Sequence, residues 1–228
     1  MPYASLRDFI ARLEARGRLV RVAAPVSPVL EMTEIQTRLL AEAGPAVLFE
    51  NVARPGSAAP PMPVLVNLFG TVERVAWGMD REAQQLRELG ETLAFLKQPE
   101  PPGGWRAALD MLPLVKNVMA MRPRTVAAAP CQEIVLEGGD IDLGLLPIQT
   151  CWSNEPAPLI TWPLVVTKGP GGRREDGFNL GIYRMQVTGR DTTLMRWLRH
   201  RGGAEHHRRW RQTLSLIHIS EPTRQAEI

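Results

Sequence analysis

The chain has 228 residues, 44% hydrophobic and 22% charged, with 27 basic and 24 acidic side chains and a net charge of +3. That composition suits an ordinary globular domain. No run of about 18 apolar residues exists and the N-terminus lacks a basic-then-apolar order, so neither a transmembrane helix nor a secretory signal is expected.

Cys131 and Cys151 stand outside any CxxC pair. That argues against a thiolate metal site and suits a reducing cytoplasm. The first helix is predicted from Ser5, a candidate N-cap with Asp8 three residues on, through Leu6, Phe9, Ile10 and Leu13 at helical spacing. Gly17 ends it and "RLVRVAAPV" reads as a short strand. A second helix is predicted over Glu31 to Ala43, with Ile35, Leu39 and Leu40 inward and Gly44 as its stop. "PAVLFENV" and "MPVLVNLFG" read as apolar strands, and "ARPGSAAPPMP" between them as a loop. Two further helices are predicted, over Arg81 to Lys97 and Trp105 to Met121.

After Arg122 the pattern turns to strands: "QEIVLEGG", "PLITWPLVVTKG", "FNLGIYRMQVTG" and "TTLMRWLRH", with turns at "KGPGGRREDG" and "TGRDT". A domain boundary is therefore expected near 122, with mixed α/β structure over 1–122 and mostly antiparallel β structure from 123. "KGPGG" lacks the Lys-Ser/Thr end of a phosphate-binding P-loop and reads as a hairpin loop.

The segment from Gly177 to His207 carries the chemistry. Alternation puts Asn179, Gly181 and Tyr183 on one strand face and Leu180, Ile182 and Arg184 on the other. Gly181 leaves room for a ligand or a backbone to approach. Arg184 on the apolar side is costly to bury without an anionic partner. The "TGRDT" turn returns a second strand with Arg196, Trp197 and His200, and "RHRGGA" ends it with flexible residues suited to meeting a phosphate. His206 and His207 are adjacent and read as surface residues. Six arginines fall between Arg196 and Arg211. Three readings remain open at this point: a plain hairpin with solvated arginines, a nucleic-acid face, and an anion or cofactor-phosphate site. The nucleic-acid reading is weakened because the arginines span a hairpin and a turn while the global charge is small.

"NLGIYRMQV" followed by "MRWLRHRGGA" resembles the cofactor-binding core of the UbiD family. The resemblance continues upstream through "LRDFIARLEARGRLVRV", "GPAVLFENV", "PVLVNLFGT", "LAFLKQPEPP", "LPIQTCW" and "APLITWPLVVT". The similarity is strongest to the 4-hydroxy-3-polyprenylbenzoate decarboxylases of ubiquinone biosynthesis, with family decarboxylases of other aromatic or unsaturated acids as the alternative. It implies an α/β fold, in which the mixed α/β domain precedes the first part of a split β-barrel that binds flavin. The implied cofactors are prenylated FMN and a divalent metal, usually manganese. The implied metal ligands are Asn179 and His200. The implied cofactor contacts are Ile182, Tyr183 and Arg184, then Arg196, Trp197 and Leu198, then Arg201 and Gly202. Arg184 also takes a catalytic place in the family's proton network. The implied partners are a small aromatic acid and further copies of the chain, with no nucleic acid. A prenylated substrate implies work in the cytoplasm, peripheral to the inner face of the membrane.

The last residues differ in character. "LSLIHISEPTRQAEI", from Leu214, resembles a translated transposase-type sequencing adapter. The native sequence is therefore expected to stop near Thr213, over a truncated β domain of residues 123–213. The family's acidic metal ligand and catalytic acid are expected downstream, leaving this fragment inactive or a non-catalytic flavin binder.

Overall fold

The computed structural model describes residues 3–53, 61–97, 116, 119, 127–171 and 177–214. The helix expected over Trp105 to Met121 falls almost wholly outside these residues, and the segment after Leu214 falls wholly outside them. By its contacts the chain divides into two compact units, residues 1–9 with 71–140 and residues 10–70 with 141–228. The architecture is mixed α/β with small sheets, as expected.

Helix α1 spans Leu6–Ala15. Its start is a reciprocal cap: Ser5 Oγ accepts from the Asp8 N–H at 3.4 Å, and Asp8 Oδ2 accepts from the Ser5 N–H at 3.0 Å. Gly17, at φ 65°, then turns the chain into strand β1, Leu19–Val22.

In the larger unit, helix α2 (Glu31–Ala41) carries the chain from β1 to β2 (Ala46–Phe49), which lies parallel to β1. Strand β3 (Val64–Val66) adds antiparallel to β2, giving the order β1-β2-β3. All four residues of β2 are buried, which is why the strand reads as a continuous apolar run. The core gathers Val26, Met32, Val47, Phe49, Val52 and Val66, with Ile35 and Leu39 of α2 against it. Leu40, expected inward, is exposed. The α2 stop is shared. Ala43 takes the left-handed conformation at φ 51°, and the Gly44 N–H donates to the Leu39 carbonyl at 2.7 Å. A Cβ at Gly44 would stand 2.9 Å from Leu39 Cδ2 and 3.2 Å from the Leu39 carbonyl oxygen, so a larger residue would crowd Leu39.

The smaller unit holds α3 (Val72–Gly78) and α4 (Leu86–Lys97). Helix α3 lies outside the expected helices; its N-cap is Thr71, whose side chain accepts from the Arg74 N–H. The helix expected over Arg81 to Lys97 begins only at Leu86; before it Ala83–Gln85 make a short 3₁₀ turn that Glu82 and Gln85 cap reciprocally. "QEIVLEGG" is not a strand. Ile134, Val135 and Leu136 are exposed between 3₁₀ turns, and β propensity without a partner ladder makes no strand.

The remaining strands belong to the larger unit: β4 (Leu159–Ile160), β5 (Leu164–Lys168), β6 (Phe178–Ile182), β7 (Met185–Val187) and β8 (Thr193–Met195). They form two sheets, β5-β6 and β4-β7-β8. Thus "FNLGIYRMQVTG", expected as one strand, breaks at Tyr183–Arg184 and serves both sheets. "PLITWPLVVTKG" breaks at Pro163 in the same way. Helix α5 (Gly202–Leu214) follows and packs on β5 and β6. "RHRGGA" is therefore a turn opening a helix, rather than a flexible strand end.

Candidate functional site

The site is built where β6, the β7-β8 hairpin and the start of α5 converge. On β6 the alternation is as expected, but its sense is inverted. Asn179, Gly181 and Tyr183 face inward, whereas Phe178, Leu180 and Ile182 are exposed. The cause is α5, which covers the polar and small-residue face. Trp210 Nε1 donates to the Lys168 carbonyl at 2.8 Å, and Thr167 Oγ1 lies 3.0 Å from His206 Nδ1. His206 is thus buried, not a surface residue.

Tyr183 anchors the break between the sheets. It is buried, and its hydroxyl accepts from the Gly203 N–H at 2.9 Å. Its ring lies 5.1 Å from the Trp197 ring, which in turn stacks at 6.3 Å on His207. Added side chains would be blocked at three glycines. A Cβ at Gly203 would strike Trp197 and the Tyr183 hydroxyl, one at Gly202 would strike Asn179 Oδ1, and one at Gly181 would meet the Tyr183 ring. The role foreseen for Gly181, close approach, is therefore filled by the protein's own tyrosine.

Two cavities result. The larger, about 550 Å³, is lined by Leu159, Arg184, Gln186, Leu194, Met195, Arg196 and Trp197. Arg184 is exposed, so no burial penalty arises, and its guanidinium lies 6.0 Å from the Trp152 ring centroid. The cavity is lined by apolar side chains and two arginines, a combination that admits a planar aromatic body carrying an anion. No carboxylate is among these lining residues.

The smaller cavity, about 350 Å³, is lined by Gly177, Phe178, Asn179, Gly202, Glu205, His206 and Arg209. Asn179 Nδ2 donates to Thr167 Oγ1 at 3.3 Å, which leaves Oδ1 towards Gly202. Glu205 is held by Arg208 and by Arg209, the latter at 3.0 Å. Chiefly through the Arg208 hydrogen bond, and then that of Arg209, its carboxyl lies below the ordinary carboxylate value.

Of the expected residues, Arg184, Arg196 and Trp197 meet in one cavity, and Asn179 meets Gly202 in the other. Tyr183 links the strand break to α5. Ile182, Leu198, His200 and Arg201 are exposed and line neither cavity. Thr167 and His206 were missed. Alternation in "PLVVTKG" could have placed Thr167 opposite Asn179, but nothing local marks His206. Among the described residues no group of three His, Cys, Asp or Glu side chains could hold a metal. The Asn179 oxygen packs against Gly202, and beside it stand Arg209 and the arginine-paired Glu205, so these residues offer a hard cation at most one neutral oxygen and not a whole shell.

Two family models match the chain. The 3-octaprenyl-4-hydroxybenzoate carboxy-lyase N-terminal domain matches residues 10–93, and the Rift-related domain of the same carboxy-lyase matches residues 124–221. Together they cover well over half of the sequence. Among solved structures, an evolved dimeric form of the UbiD-class enzyme HmfF from Pelotomaculum thermopropionicum, in complex with prFMN, is 28% identical. The match has a TM-score of 0.61 and covers 86% of this chain and 39% of that one. Vanillic acid decarboxylase from Sedimentibacter hydroxybenzoicus, in open form, is 26% identical with a TM-score of 0.62, covering 88% and 38%. Apo 3,4-dihydroxybenzoic acid decarboxylase from Klebsiella pneumoniae is 26% identical with a TM-score of 0.63, covering 92% and 39%. The chain thus spans about two fifths of the length of each.

Proposed function

The chain belongs to the UbiD family, and from that premise we propose that it forms the flavin-binding part of a non-oxidative decarboxylase of aromatic acids. One observation carries the reading: Arg184, Arg196 and Trp197 line a single apolar cavity of about 550 Å³. We assign prenylated FMN to it, in keeping with the complex of the HmfF relative. A domain boundary between the two family matches, near residue 122, belongs to the same proposal.

Loss of CO₂ from an aryl acid leaves an electron pair on a ring carbon with no neighbouring carbonyl to accept it. The flavin, when bound, supplies that electron sink. The protein's part is binding and orientation. Arg184 and Arg196 neutralise anionic oxygens of the cofactor or the acid. Trp197, braced by Tyr183 and His207, gives an apolar wall that excludes water. Asn179 offers one neutral oxygen to a divalent cation, for which we propose manganese. His200, Ile182, Leu198 and Arg201 remain in the proposed site on the family resemblance alone.

The substrate we place first is 4-hydroxy-3-polyprenylbenzoate, worked on in the cytoplasm near the membrane surface by an oligomer of the chain. Its support is the carboxy-lyase named by both family models. The second reading, a smaller phenolic acid, is favoured by relatives that are decarboxylases of vanillic acid and of 3,4-dihydroxybenzoic acid. The test is CO₂ release from all three acids by a gene product of full family length, coexpressed with a flavin prenyltransferase. We expect release from the polyprenylated acid, lost in Arg184→Ala. Release from the small acids alone selects the second reading, and release from none removes both. Binding of FMN to the present chain, followed by fluorescence quenching, should weaken in Arg196→Ala. An unchanged titration would remove the cavity assignment.

A further inference from the structure

Arg184 stands at the break between β6 and β7 and lines the larger cavity. An arginine side chain has much rotamer freedom, so its direction there depends on what meets the guanidinium. The group that meets it is aromatic: the guanidinium carbon lies over the Trp152 ring, 6.0 Å from the centroid. A carbonyl or carboxylate partner would occupy N–H donors. An indole face attracts the charge and leaves the donors in the guanidinium plane to another acceptor. Trp152 is not among the residues lining the cavity, so it reaches a ligand there through Arg184.

The backbone around Trp152 fixes where the indole stands. Glu155 closes a tight turn: its carboxylate accepts from the Cys151 N–H at 2.6 Å and the Trp152 N–H at 3.2 Å, and its own N–H donates to the Trp152 carbonyl at 3.1 Å. The end of this loop is tied to the sheet that Arg184 enters. The Val187 N–H donates to the Pro158 carbonyl at 3.0 Å, and Gln186 Nε2 donates to the Ala157 carbonyl at 3.4 Å. Ile160 of β4 is the cross-strand partner of Met185, the residue after Arg184. Loop and arginine thus share one frame. None of these hydrogen bonds uses the indole, so the side chain can be exchanged without undoing the turn.

We propose that Trp152 is a positioning residue for Arg184, its indole face setting the direction of the guanidinium so that the N–H donors meet the carboxylate of an aromatic acid in the cavity. The proposal rests on the reading that Arg184 meets an anionic oxygen there.

The test uses the 228-residue chain labelled with ¹⁵N, with the Arg184 Nε–H signal identified by its loss in Arg184→Ala. The probes are 4-hydroxybenzoate and its neutral analogue 4-hydroxybenzamide, titrated by chemical shift. In the wild-type chain the Arg184 Nε–H proton should lie upfield of the other arginines, shifted by the indole ring. Trp152→Leu should abolish that shift and weaken binding of the acid ~2–5-fold, the size of an exposed cation–π contact, while leaving the amide unchanged. Trp152→Phe, which keeps an aromatic face, should retain most of both effects. Arg184→Ala should remove the preference for the acid over the amide, and adding Trp152→Leu to it should cost nothing further. An unmoved Arg184 signal or an unchanged acid affinity in folded Trp152→Leu protein would overturn the positioning role. An equal loss on the Arg184→Ala background would overturn it too, because Trp152 would then act without the arginine. A different failure marks the underlying reading: if Arg184→Ala keeps the full preference for the acid, the anion assignment falls and this proposal with it.

Discussion

At the scale of single residues, the site depends on side chains that are absent. Gly203 sits where a Cβ would strike both Trp197 and the Tyr183 hydroxyl. Gly203→Ala should therefore cost ~1–3 kcal/mol, the usual penalty of overpacking, read as a lower urea midpoint. Tyr183→Phe tests the same junction from the other side. It removes the acceptor of the buried Gly203 N–H and should cost ~1–3 kcal/mol with little change in volume. A midpoint unchanged in both variants would mean that Tyr183 does not pin α5. Asn67 shows the same economy in the core sheet. It tolerates φ 53° and donates to the carbonyls of Gly44 and Pro45, tying the end of β3 to the turn before β2.

At the scale of elements, α5 decides the site. It buries Ala204 and His206 on the inner face of β5-β6 and leaves Leu164, Val166, Phe178, Leu180 and Ile182 on the outer face exposed. Val166 and Leu180 are cross-strand partners on that open face. Replacing both with Thr should keep stability within ~0.5 kcal/mol, because no described packing is lost, and should slow aggregation followed by light scattering. A large loss of stability would show that something covers the face. The acid response of α5 is set by Glu205 in its first turn. Arg208 and Arg209 hold its carboxyl below the ordinary value of 4.5. A depressed folded-state value stabilises the helix above pH 4.5, and this contribution is lost as pH falls through the lowered value. Glu205→Gln should flatten that acid limb in far-UV circular dichroism. An identical acid limb in the variant would show the ion pairs to be immaterial.

At the scale of the whole molecule, the described lining of the arginine cavity offers no carboxyl proton donor. None of its lining residues is a carboxylate, and general acid catalysis usually contributes ~10²–10⁴-fold. The 228-residue chain supplied with prenylated FMN and manganese should thus release no CO₂ above blank from any of the three acids, even where flavin binds. Measurable turnover would show that a carboxyl group of the 228-residue chain reaches the cavity.

What the sequence determined by itself is what short-range chemistry fixes. Ser5 and Asp8 start α1, Gly17 ends it, and the strand–helix–strand run from Leu19 to Phe49 follows from apolar spacing. The alternation on β6 and the hairpin through "TGRDT" were legible for the same reason, since a strand's period is local. The family motifs also marked Asn179, Arg184, Arg196, Trp197 and Gly202, which the fold brings to two cavities. Tertiary structure alone decided the rest. A strand's period does not say which face is buried, and α5 chose the polar one. Nothing local requires "NLGIYRMQV" to break, yet Tyr183 turns inward to meet Gly203 and divides the segment between two sheets. His206 could not be told from His207 in sequence. Helical geometry points one of them at Thr167 and the other at Trp197, and only the docked helix fixes which is which.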